Sequence, residues 1–174
     1  MNKTCMNSAV LATAVAVLSA CAHEPPPPPS PCTTPEPLRV TLTASTHLNP
    51  GESGESLPTT VRLYQLKDTA KLLESTLDRI LDGDRAVLGE DLLSMQELTL
   101  YAGEKNTPNL ARAEGATNLA VVAMFRRPVG TSWRAIRKLA APNPQHCHGT
   151  IGTPAAVAAS QLKFTLEDSR VEMR

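Results

Sequence analysis

Four cysteines and four histidines are the residues best suited to covalent or metal chemistry in this 174-residue chain, and their placement sorts them. Cys21 closes the stretch Leu18-Ser19-Ala20-Cys21, directly after the apolar run AVLATAVAVLSA over residues 9–20. Lys3 is the only charge before it. A short basic start, an apolar segment and small residues at its end are the marks of a secretory leader. A thiol stands at that cut site, which an ordinary leader does not require. The small side chains of Ser19 and Ala20 let the cleaving enzyme take the backbone in extended form.

The other candidates are weaker. Cys5 leaves with the leader, so Cys32 and Cys147 remain. Two thiols in an oxidising compartment suggest a disulfide, which would close a loop of over a hundred residues and contribute about 4–5 kcal/mol at most. Free thiols are the second reading. Metal is the third, because Cys147 sits in His146-Cys147-His148, but adjacent residues seldom ligate one ion and no HxxH or CxxC supplies partners. We therefore expect no metal and no cofactor. His23 follows the leader and His47 lies near a strand end. There is no GxSxG, no HExxH and no glycine-rich phosphate loop. Paired acids, Asp82 with Asp84 and Glu90 with Asp91, read as solvated helix caps. Trp133 and Arg134, with Arg126 and Arg127, read either as a cation–π cluster or as a core tryptophan with a solvated rim. No enzyme is expected.

The sequence around Cys21 resembles a bacterial lipobox, the competing reading being an ordinary leader with a chance cysteine. As a helix, the 12-residue apolar run covers about 18 Å, too short for a ~30 Å hydrocarbon core. The resemblance implies a leader over residues 1–20 and a mature chain starting at acylated Cys21, held by two or three acyl chains. Ala22, in place of an aspartate, favours the outer membrane, with the chain facing the periplasm. Residues 21–37 then form a stalk, AHEPPPPPSPCTTPEP after the cysteine. Five consecutive prolines favour polyproline II, so PPPPPSPCTTPEP over residues 25–37 is a semi-rigid spacer of about 40 Å if fully extended.

Residues 38–174 have the length of one domain. The 17 basic and 17 acidic residues cancel, and loss of Lys3 leaves a net charge of −1, without the basic stripe of a nucleic-acid binder. LRVTLTAST over residues 38–46 alternates apolar and polar, as does VRLYQL over 61–66: two half-buried strands. Between them HLNPGESGESLPTT has no periodicity, and such long loops are functional or disordered. DTAKLLESTLDRIL predicts one helix opened by Asp68 and broken at Asp82-Gly83-Asp84, followed by a short helical turn, so a helical insertion spans about 68–94. Strands are predicted at 95–101, weakly at 108–113, at 116–125 (apolar enough to be buried on both faces), at 132–139 and at 161–167, the last closing the domain. Seven or eight short strands with one helical insertion make a mainly β chain, a β-sandwich.

With that order in place, the lipobox, "LTASTHLNP", "PTTVRLYQLKD", "VLGEDLLSMQELTLYAGE" and "LAVVAMFRRPVGTSWRAI" together resemble the type VI secretion lipoprotein family, TssJ. The resemblance implies a transthyretin-like β-sandwich with a small helical addition, tethered through lipid to the outer membrane. There it binds the periplasmic C-terminal region of TssM, alongside other membrane-complex subunits. It also implies that the loop between the first two strands makes the contact. In this chain that loop is residues 47–58: His47, Leu48, Asn49, Pro50, Gly51, Glu52, Ser53, Gly54, Glu55, Ser56, Leu57 and Pro58. Leu48 and Leu57 are its apolar contact candidates, and Asn49 with Pro50 could set a turn. The alternative is a transthyretin-like periplasmic module for a small ligand or envelope polymer, which would need a pocket lined by the few aromatics.

Overall fold

The computed structural model describes residues 37–141 and 161–173. Two β-sheets face each other. Strand β1 (Leu38–Leu48) lies in the first with β4 (Lys105–Asn106), β5 (Asn109–Leu110), β8 (Gln161–Asp168) and β9 (Arg170–Met173). Strands β2 (Thr59–Leu66), β3 (Leu92–Leu100), β6 (Asn118–Ala123) and β7 (Arg134–Lys138) form the second, in the order β3-β2-β6-β7. Every pairing is antiparallel except β1 with β8.

The alternation in β1 drives Leu38, Val40, Leu42 and Ala44 inward against Leu162, Phe164 and Leu166 of β8, while Val61, Leu63, Leu119 and Val121 come from the opposite sheet. Each fully buried leucine or valine contributes about 1.5–3 kcal/mol relative to exposure, and these rows carry most of the core. Strand β6 is buried along both faces, as its unbroken apolar run predicts. Leu119 and Val121 face the core, and Ala120 and Val122 lie beside Tyr64 and Arg62 on the outer face, which the helical insertion covers.

That insertion is two helices rather than one, α1 (Ala70–Glu74) and α2 (Leu77–Leu88), followed by a 3-10 turn at Gly89–Asp91. Ser75 and Thr76 compete for backbone hydrogen bonds and stop the first helix; the Thr76 hydroxyl then accepts from Arg79 N and caps the second. Asp68 lies one residue before the N-cap and accepts from Ala70 N. The expected break at Gly83 is present, as a non-helical residue inside α2. Arg134 of β7 fastens the insertion to the sheet. Its guanidinium donates to the carbonyls of Leu72 and Ser75 through one nitrogen and to Leu73 through the other, at 2.7–2.8 Å. These carbonyls lie at the end of α1, where Leu72 O also accepts from Ser75 N at 3.2 Å, and a cation there meets the negative end of the helix.

Strand β9 extends the first sheet beyond the expected end of the domain, after a two-residue turn in which Asp168 takes a positive φ of 47°. Gln65, on the inward row with Val61 and Leu63, is wholly buried. Its amide is satisfied on both sides: Nε2 donates to Ala111 O and Oε1 accepts from Ala113 N, both at 2.7 Å. Gln65→Leu keeps the volume and orphans two backbone groups, at about 1–3 kcal/mol each. Chemical denaturation should therefore show a loss of about 2–6 kcal/mol; a loss under 1 kcal/mol would mean that water satisfies the 111–113 segment.

Candidate functional site

The segment between β1 and β2 is ordered by its own backbone. A β-bulge between Ala44 and Leu48 turns His47 outward and returns Leu48 to the core. Asn49 then takes a left-handed conformation (φ 48°), which asparagine tolerates better than most residues. Pro50 and Ser56 form a β-bridge, Gly51 N donates to Glu55 O at 2.8 Å, Ser53 N donates to a Glu55 carboxylate oxygen at 3.0 Å, and Gly54 supplies the positive φ (83°) the tip requires. At the base, Leu57 N donates to Leu48 O at 3.1 Å and Ser56 Oγ donates to Thr46 O at 2.6 Å. The result is a small closed finger.

Asn49 is only 5% exposed and fixes that finger to two neighbouring turns. Its N–H donates to Asp168 O at 2.6 Å, in the β8–β9 turn, and its Oδ1 accepts from Arg126 N at 2.8 Å, in the β6–β7 loop. Arg126 also pairs with Glu52 at the tip. The β6–β7 loop and the β8–β9 turn are themselves joined, because Ser132 Oγ donates to Ser169 O and Val171 N donates to Ser132 O. Three connections thus form one end of the sandwich.

Its exposed surface comprises His47, Glu52, Ser53, Gly54, Glu55 and Pro58 from the finger and Arg126, Arg127 and Val129 from the neighbouring loop. Pro50, Gly51, Ser56 and Leu57 are half-buried supports. Leu48 has no exposed surface, so of the two apolar contact candidates only Leu57 can reach a partner. Asn49 positions the finger rather than presenting itself. Sequence reasoning missed Val129, which at 77% exposure is the most exposed large apolar side chain among the described residues. The signal was present: a valine between proline and glycine, in RRPVGTS, belongs to no strand and has no sheet face to be buried on.

The remaining candidates resolve differently. Trp133 is buried, and Arg134 stacks over its ring at 4.6 Å, whereas Arg126 turns to Glu52. Asp84, expected to be a solvated cap, accepts from the Tyr64 hydroxyl at 3.0 Å and pairs with Arg62, tying α2 to β2. Burial pushes the Tyr64 phenol well above its usual range, so it stays a donor at any physiological pH. Asp91 pairs with Lys71 at 2.7 Å. Among the described residues there is no group of three or more His, Cys, Asp or Glu placed to hold a metal ion, and no helix long and apolar enough to cross a membrane. Cys21, Cys32, His146, Cys147, His148 and the proline-rich stalk lie outside the described residues.

Comparison with known proteins gives the arrangement its context. The family model described as type VI secretion lipoprotein (SciN, VasD, EvfM, TssJ) matches residues 36–167, about three quarters of the chain. No curated protein sequence matches it. Among solved structures, the T6SS lipoprotein TssJ1 from Pseudomonas aeruginosa is similar at TM-score 0.64 and 23% identity, over 80% of this chain and 95% of that one. A chain of a structure described as a type VI membrane complex is similar at TM-score 0.65 and 19% identity, over 80% and 98%. A chain of one described as the T6SS protein TssM C-terminal domain (869–1107) from EAEC is similar at TM-score 0.62 and 18% identity, over 79% and 97%. At these identities the structures speak for the fold; the family model speaks for kinship. The chain belongs to the type VI secretion lipoprotein family.

Proposed function

We propose that this lipoprotein is acylated at Cys21, sits in the outer membrane facing the periplasm, and binds the periplasmic C-terminal region of TssM through the end of the sandwich built on residues 47–58. The observation that carries the reading is the finger itself: a loop closed by its own hydrogen bonds, fixed by buried Asn49, and aimed away from the core. Binding residues concentrate on loops held by a rigid scaffold, and a pre-ordered loop loses little entropy on binding. The similarity to chains of structures described as a type VI membrane complex and as the TssM C-terminal domain supports this choice of partner.

The path of the chain suits a tether. β1 begins at Leu38, where the stalk would enter, and ends at Leu48, where the finger begins; its 11 residues span about 35 Å. Anchor and partner would thus pull on opposite ends of one strand. β1 is hydrogen-bonded in parallel to β8 and on its other edge to β4 and β5, and those bonds run across the strand, so tension along it is shared among them. The ligand-binding alternative is the weaker reading: Tyr64, Phe125 and Trp133 are buried, Tyr101 stands exposed, and Phe164, which borders a groove over the β1–β8 sheet, is itself only 1% exposed.

Val129→Asp tests the site without touching the core, because the side chain is almost wholly exposed. An apolar anchor at an interface centre is typically worth a ten- to hundredfold change in affinity. Titration calorimetry against the TssM region should show a loss of that order with an unchanged melting temperature. An unchanged affinity would remove the β6–β7 loop from the interface.

A further inference from the structure

Ser132 uses its N–H, its carbonyl and both roles of its hydroxyl. The N–H donates to Val129 O at 3.0 Å, and the hydroxyl oxygen accepts from Val129 N at 3.2 Å. Both backbone groups of the most exposed large apolar residue among the described residues are thus held by one neighbour. On its other side the same hydroxyl donates to Ser169 O at 3.0 Å, and Ser132 O accepts from Val171 N at 2.8 Å. Gly130 takes a positive φ of 55°, the conformation that lets the chain double back between Val129 and Ser132. A side chain that donates and accepts through one small group at this half-buried position has to be a hydroxyl.

The β6–β7 loop is therefore fixed at two points. Arg126 N, at its start, donates to Asn49 Oδ1 of the finger, and Ser132, at its end, is held by the β8–β9 turn. That turn also holds the finger, because Asp168 O accepts from Asn49 N at 2.6 Å. Consecutive carbonyls, Asp168 and Ser169, thus take the finger on one and the loop on the other, and the three connections close a triangle. Ser169 and Val171 lie past residues 36–167, the stretch that carries the family match, so the second fixed point depends on a strand outside it. We infer that Ser132 is a positioning residue for partner binding, which through β9 holds Val129 where a partner meets it together with the finger. The inference rests on this end of the sandwich being the contact for the TssM region. A loop fixed at both ends has little freedom left to lose, whereas one fixed at Arg126 alone must be ordered by the partner, a cost of about three- to tenfold in affinity.

The test is a double-mutant cycle. The chain from residue 21 onward, carrying Cys21→Ser, is titrated against the TssM region as it stands and with Ser132→Ala, Ser132→Thr, Val129→Ala, or Val129→Ala and Ser132→Ala together. Ser132→Ala should weaken binding about three- to tenfold. Ser132→Thr, which keeps the hydroxyl, should stay within about twofold of the unsubstituted chain, and Ser132→Ala should cost less than about twofold more once Val129 is alanine. A residue that only stabilised the fold would show the opposite: its loss would multiply with that of Val129. Melting temperatures read stability separately. Unchanged affinity on Ser132→Ala, or a loss that multiplies fully with that of Val129→Ala, overturns the inference and leaves the partner reading standing. Absence of binding by the chain without these substitutions overturns the partner reading, and the inference with it.

Discussion

Cys21→Ser is expected to move the protein from the membrane fraction to the soluble periplasmic fraction at physiological salt, nearly completely. The size of the effect follows from acyl arithmetic. One chain binds a bilayer only marginally, but each further buried methylene adds about 0.8 kcal/mol, so two or three chains make attachment effectively permanent. Removing the thiol on which the proposed anchor is built removes all of that at once. Fractionation followed by a high-salt wash checks the result. A serine variant that still pellets after the wash would place the anchor elsewhere in the chain.

The second large effect concerns the finger. Replacing residues 50–56 with a two-residue Gly-Ser turn should abolish binding to the TssM region, a loss of at least a hundredfold, while lowering stability by no more than about 1–2 kcal/mol. The asymmetry comes from where the finger's bonds lie. Its internal hydrogen bonds, Gly51 to Glu55 and Ser53 to Glu55, are made within the removed segment, and its tip residues are exposed. Leu48 and Asn49, which do contribute to the core and to the joining of the three turns, are retained. Exposed substitutions away from buried networks rarely move stability by more than a fraction of a kcal/mol. Calorimetry for binding and thermal melting for stability separate the two. A variant that loses binding only because it no longer melts cooperatively would contradict this partition.

Much of the fold can be read from the residues because its strands obey simple periods. β1 and β8 alternate cleanly, and β6 is apolar from Leu119 to Ala123 because helices cover one of its faces and the core the other. Other features depend on contacts between residues far apart in sequence. Nothing local to VRLYQL indicates that Gln65 is buried, since its partners, Ala111 and Ala113, are more than 40 residues away. The bulge that extends β1 to Leu48 is invisible to period-two reasoning, which ends the strand where the alternation slips. β9 was hidden by its brevity and by a turn of Asp and Ser that resembles a chain end. The division of α1 from α2 was foreshadowed by Ser75-Thr76, a pair better suited to caps than to a helix interior.

The site was legible to the same degree. Length, glycine and loss of periodicity marked residues 47–58, and the structure closes them into a finger. That Arg126 joins the finger was not legible, because it arises from Asn49 and Glu52 reaching 74 to 77 residues along the chain.

The central claim, that this sandwich grips TssM, is tested most directly by titrating the chain from residue 21 onward, with Cys21→Ser, against the purified periplasmic C-terminal region of the cognate TssM. The account predicts saturable binding that is lost when residues 50–56 are replaced. Absence of binding by a chain that melts cooperatively would contradict it.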